Sequence, residues 1–247
     1  MKALLGIVVL LVVAALVGAA YYLKLSLDLP ELSTENQVVD LVGRSVEAYR
    51  AEQAHDSGGT TARFAVTARE VLKSPVGRAL LVLERCPDYL AAPPPPELDF
   101  WRAQLQPATG ATFCAVGMSM DLAQRLLLPS VHHVALAADR IREALGRDGL
   151  FAVWASAVPF NPNGPQGVEP ASRALFHVAP QDLDWEGAAE LAVAMTHYQD
   201  VAVCAIPPQI TALRDRFLER AAAALPAEAA EIGAAEKKPL RCVAGKR

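Results

Sequence analysis

The sequence has no surplus of basic residues, no closely spaced pair of cysteines and no glycine-rich loop of the kind that cradles phosphate. With 23 Lys and Arg against 27 Asp and Glu, its formal net charge is -4. It therefore lacks the basic balance that broad nucleic-acid binding requires, and no nucleic-acid partner is expected. Neither Gly-x-Gly-x-x-Gly nor Gly-x-x-x-x-Gly-Lys occurs, which removes the sequence case for a dinucleotide or P-loop nucleotide site. Cys-x-x-Cys and Cys-x-x-Cys-His are missing too, so short-spaced zinc sites, dithiol redox centres and covalent haem have no footing. No cofactor is expected.

What is present begins with a long apolar run. Residues 3–23 carry no charge and are rich in Leu, Val and Ala, and their length matches the roughly 20 residues a helix needs to cross about 30 Å of hydrocarbon. Lipid offers backbone groups no partners, so a helix is the state expected there. Tyr21, Tyr22 and Lys24 close the run, where amphipathic rings and a snorkelling amine meet headgroups. The competing reading is a cleaved secretory signal, with Gly18 and Ala20 as small residues before a cut. Against it, the run exceeds the roughly 7 to 15 residues of a signal core, and its basic region is only Lys2 and the amino terminus. An uncleaved anchor is therefore expected. Lys2 and Lys24 nearly balance, but Asp28, Glu31 and Glu35 soon follow the run. This favours a domain on the periplasmic or extracellular side of the cytoplasmic or inner membrane.

The remaining chain, roughly 220 residues, is long enough for one domain with a real core. Removing Lys2 with the anchor leaves 22 of the 23 basic residues against 27 acidic ones. Four cysteines follow the anchor, Cys86, Cys114, Cys204 and Cys242. An even number in an exported chain fits two disulfides, with three pairings open. Cys242 is expected to pin the tail to the body.

Thr34 and Gln37 read as a capping box, followed by Val38, Leu41, Val42, Val46 and Tyr49 at helical spacing. Strands are expected at residues 63–69, 79–84, 111–116, 150–158, 175–178 and 201–206, where apolar residues alternate or run together. Pro93 to Pro96 reads as a stiff surface linker into a helix carrying Leu98, Trp101 and Leu105. Ser130 opens a helix with Val134, Ala138, Ile141 and Leu145 on its apolar face, ended by Gly149. Residues 159–170 form a long proline- and glycine-rich loop, the kind that serves as a lid. Asp184 caps a helix reaching His197, and Pro208 starts another with Ile210, Leu213, Phe217 and Ala221 inside. The fold class expected is α+β or α/β, a single transmembrane helix followed by a mixed helix and strand domain. Its divisions are an anchor at 1–24, a juxtamembrane segment and amphipathic helix at 25–60, a globular domain at 61–236 and a basic tail at 237–247.

One local pattern points to chemistry. Gly117-Met118-Ser119-Met120-Asp121, between an expected strand and an expected helix, resembles the nucleophile elbow of the α/β-hydrolase family, Gly-x-Ser-x-Gly, with Asp121 in place of the closing glycine. That resemblance implies Ser119 as nucleophile, Asp182 or Asp184 as the orienting carboxylate and His197 as base. The plainer role for Ser119 is a helix cap. His132 and His133 are adjacent on a helix, about 100° apart, which is poor geometry for a shared ion, and no metal site is expected. Trp154 reads as core, while Trp185, at a helix start between Asp184 and Glu186, reads as an exposed interface anchor. Gly6, Gly18 and Ala19 are small residues that let the anchor helix approach another closely.

Together these features suggest an anchored extracytoplasmic accessory, assembly or scaffold subunit. Its expected partner is an integral membrane protein or membrane complex, and no chemistry of its own is expected. The alternatives are a membrane-tethered serine hydrolase and a periplasmic ligand-binding domain whose lid is residues 159–170.

Overall fold

The computed structural model describes residues 2–54, 70–89, 110–160, 164–201 and 208–236. In chain order the helices are α1 (Lys2–Leu27), α2 (Glu35–Ala54), α3 (Glu70–Lys73), α4 (Pro75–Leu83), α5 (Gly110–Gln124), α6 (Val131–Ala157), α7 (Val168–Phe176), α8 (Trp185–Val201), α9 (Pro208–Ala224) and α10 (Ala229–Glu236). A 3-10 turn at Pro180–Asp182 precedes α8. The long α6 packs against α5, α2 and the end of α1, while α8 packs against α4, α9 and α10. Short α3, α4 and α7 join the two groups, so one continuous apolar core runs from Leu25 to Ala235.

The expected mixture of helix and strand is overturned. Among the described residues the molecule is almost entirely helical and contains no β-strand, only an isolated bridge between Pro159 and Gln166. Residues 79–84 lie in α4 and the turn after it, 111–116 in α5, and 150–157 in the second half of α6. Residues 175–178 finish α7 and the bend that follows. The run from Leu150 to Ala157 is buried at every position. A helix enclosed on all sides has no polar face, so its apolar run looks the same as that of a central strand. The strand at 63–69, Pro93 to Pro96, Trp101 and the tail lie outside the described residues, as does nearly all of 201–206.

Helix starts follow their caps. Thr34 Oγ1 accepts from Gln37 N–H at 3.4 Å, and Gln37 Oε1 accepts from Thr34 N–H at 3.1 Å, closing the capping box that opens α2. Ser130 caps α6 by accepting from His133 N–H at 3.4 Å. Asp184 caps α8 by accepting from Gly187 N–H at 3.0 Å. Gly149 does not end α6; it is buried within it, and the irregularity comes earlier at Gly146, whose φ of +61° and ψ of -172° suit glycine alone. At Gly77 a Cβ would lie 2.1 Å from the Val71 carbonyl oxygen, so only glycine lets α4 press onto α3.

Cys86 and Cys114 form a disulfide across 28 residues, with Cα atoms 6.1 Å apart, tying the turn after α4 to α5. Cys204 and Cys242 lie outside the described residues. Near the disulfide, the buried Tyr89 hydroxyl donates to the Arg147 carbonyl at 2.9 Å, and burial raises its pKa above the ordinary phenol range.

Candidate functional site

The most informative site is the junction between α1 and the domain. Ile7–Leu27 is long and apolar enough to cross a membrane, and residues 7–24 of it are all exposed. The helix does not stop at the end of the apolar run. Its last turn enters the core through Leu25, and the segment beyond adds Leu29 and Leu32, all buried. Polar contacts hold it there. Arg140 on α6 donates to Ser26 Oγ. His133 Nε2 stands 3.8 Å from Asp28 Oδ2, and its Nδ1 lies 2.8 Å from Ser130 Oγ. One turn earlier the Tyr21 ring meets the His132 ring edge-on, with centroids 6.1 Å apart. Gln37 Nε2 also donates to Glu31 Oε2 at 2.8 Å, bracing the chain between α1 and α2. The pair His132 and His133 thus divides its work: one faces the aromatic end of the anchor, the other its acidic exit.

Gly18 and Ala19 of α1 are open. Nothing lies within 4 Å of where a Gly18 Cβ would be, and Ala19 is exposed. Gly6 lies in the same helix.

The serine pattern has a different setting from the one its resemblance implies. Gly117, Ser119 and Asp121 all lie inside α5, with no strand leading to them. Ser119 is buried and its hydroxyl donates to the Val116 carbonyl at 3.1 Å, so it is neither an exposed elbow nor a helix cap. Asp121 pairs with Arg125 at 3.3 Å. Asp184 is occupied as the α8 cap, and His197 Nδ1 is 3.5 Å from Asp200 Oδ2. Asp182 closes the 3-10 turn. Each implied member of the triad thus has its own local structural role.

Trp185 is not the exposed anchor expected from its acidic neighbours. It is buried, and contributes to the wall of a depression of about 260 Å³ shared with Pro75, Asp184, Glu186 and Glu231. Trp154 is core as expected, with its ring centroid 5.9 Å from that of Phe151. The described ends of the loop at 159–170 are fastened: Gly167 N–H donates to the Val158 carbonyl at 2.8 Å, and Phe160 and Gln166 are buried.

Two features escaped the sequence reading. Arg214, 2% exposed, faces Glu190, 1% exposed, across α9 and α8 at 3.8 Å, and also pairs with Asp215 at 2.7 Å. The helical spacing Ile210, Arg214, Phe217, Ala221 was the available signal, since it puts Arg214 on the apolar stripe. Leu213, expected there, is only half-buried. It lines the second feature, an open cleft of about 300 Å³ with a floor including Leu83, Val193 and Phe217 and a rim including Thr196, His197, Arg216 and Arg220. Arg220 stacks over Phe217 at 5.5 Å, and α8 departs from helical geometry at His197.

Among the described residues, no group of three or more His, Cys, Asp or Glu side chains could hold a metal ion. No protein-family model matches the sequence, and comparison with curated proteins gives no match.

Proposed function

We propose that the protein is a membrane-anchored accessory, assembly or scaffold subunit that docks on an integral membrane protein or membrane complex, with its domain on the periplasmic or extracellular side and no chemistry of its own. The observation that carries this reading is the junction. The apolar length of α1 is open to its surroundings, while its far end is built into the domain core through Leu25, Leu29 and Leu32. A flexible tether would only confine the domain to the membrane. A helix continuous with the core also holds it at one height and orientation, as a subunit fitting a fixed neighbour requires. Gly6, Gly18 and Ala19 supply a surface on which a second helix can pack closely. The Cys86–Cys114 disulfide supports the oxidising side of the membrane.

A photo-crosslinker at Gly18 in native membranes tests the docking. The expected result is one specific product, lost when the rest of residues 3–20 is exchanged for an unrelated apolar helix that keeps the crosslinker at position 18. The full-length protein running alone on size exclusion after mild detergent extraction, with no crosslinked product, would overturn the proposal.

The cleft beneath His197 supports a second reading, a domain that binds a small ligand. An apolar floor with two guanidinium groups and an imidazole at the rim suits an organic anion with an apolar body. Titration of full-length protein in detergent with a medium-chain fatty acid checks it. Saturable binding that Arg216→Ala/Arg220→Ala abolishes is expected, and equal binding by both proteins would rule the cleft out.

A further inference from the structure

We infer that the loop joining α5 to α6 is a second membrane contact, with Leu127 and Val131 inserting into the bilayer beside the point where α1 leaves it. This rests on α1 spanning the membrane, as proposed above, and adds a lipid-binding face to the soluble domain.

The loop reads Leu126-Leu127-Leu128-Pro129-Ser130-Val131. Leu126 and Leu128 lean on the core, and Leu127 between them points away, 90% exposed. Val131, at the first position of α6, is 67% exposed. Outside α1 these are the most exposed large apolar residues described. Leu127 also holds a φ of +51°, a left-handed conformation that a branched-chain residue seldom adopts. A side chain held outward on a strained backbone is not explained by packing within the domain.

The occupant of this surface follows from where it lies. His132, next to Val131, makes its ring contact with Tyr21 of α1. Tyr21 belongs to the apolar stretch Ile7–Leu27 and lies three residues before Lys24, which along a helix is about 4.5 Å. With Lys24 reaching the headgroups, the His132 ring sits within a turn of the headgroup level, at the depth where Tyr and Trp belts gather. Val131 is therefore held at the same depth, and exposed apolar groups there meet acyl chains, not water. The Ser26–Arg140 contact holds α6 against α1 just above and keeps this end of the domain from swinging clear. A monotopic contact of this kind needs only a small apolar surface, because the anchor already supplies the affinity.

The test uses full-length protein reconstituted in vesicles of phosphatidylcholine brominated near the carbonyl end of one acyl chain, with native tryptophan emission subtracted. Leu10→Trp reports on the span, Leu127→Trp and Val131→Trp on the loop, and Glu219→Trp on exposed α9. The substituted loop positions are exposed, so the changes leave the core untouched. The expected result is that the added emission at positions 127 and 131 falls by about half, as for groups at the acyl boundary, that at position 10, about 21 Å along the helix from Lys24, falls by less, and that at 219 does not change. Quenching at position 10 without quenching at 127 and 131 overturns the loop contact and leaves the anchor standing. No quenching at position 10 overturns the anchor and the loop contact with it. Equal quenching at 219 overturns a localised contact.

Discussion

Arg214 is the largest of the side chains enclosed almost completely in the core, and it arrives there with Glu190 and Asp215 as its acidic company. A buried pair contributes little net stability, because desolvation of both charges offsets their attraction, whereas removing one charge strands the other. Arg214→Met is therefore expected to cost about 3 kcal/mol, and Arg214→Met with Glu190→Leu to recover most of that loss. Chemical denaturation in detergent through a double-mutant cycle measures both, and additive losses would show that the two residues are not coupled. Glu84 gives a residue-level dependence on pH. Burial of its carboxyl, followed by the nearby Asp121, raises its pKa above the ordinary carboxylate value. The folded state then binds the proton more readily than the unfolded state, so this group's contribution to stability is highest at low pH. It falls as pH rises from the unfolded pKa through the folded one. Glu84→Gln is expected to melt with the parent near pH 4 and above it near pH 7, the effect being small because the residue reaches solvent. A constant difference across that range would sink the assignment.

At the scale of elements, the helices with one wet face could be read from residue order and those without could not. Polar Asp139, Arg140, Glu143 and Arg147 alternate with Val134, Ala138, Ile141 and Leu145, and α6 starts at Ser130 as expected. Its second half has no polar face, and the same chain that continues as buried helix was read as a strand. The serine pattern depended on another expected strand, at 111–116, because an elbow needs a strand before it and α5 supplies a helix there. The disulfide is also decided above the level of spacing: residue order allowed three pairings, and the fold brings Cys86, in the turn after α4, to Cys114 of α5. Closing a 28-residue separation constrains the unfolded chain by about 3.5 kcal/mol in the chain-entropy account. Cys86→Ser with Cys114→Ser should lower the denaturation midpoint accordingly. The same shift on reducing the parent protein, with no further shift on reducing the variant, ties it to this bridge.

For the whole molecule, the decisive relation is between the anchor and the body. Leu32, beyond the end of α1, is almost fully enclosed, and Leu32→Ala removes buried volume where the stem enters the core. A loss of about 2 to 4 kcal/mol is expected. Amide exchange should rise first across residues 25–32 while the protein stays in the membrane fraction. Unchanged protection there would mean that the stem is held by its polar contacts and not by burial.

Residue order alone determined the long apolar helix at the start, the caps at Thr34, Ser130 and Asp184 and the faces of the amphipathic helices. Each depends on near neighbours: an unbroken apolar run, a side chain three residues from the N–H it receives, a repeat of one turn. Tertiary structure decided what depends on distant partners. It made helices of fully apolar runs, chose one cysteine pair, buried Arg214 opposite Glu190 and enclosed Trp185. It also left Leu127 outside, between Leu126 and Leu128 that lean on the core.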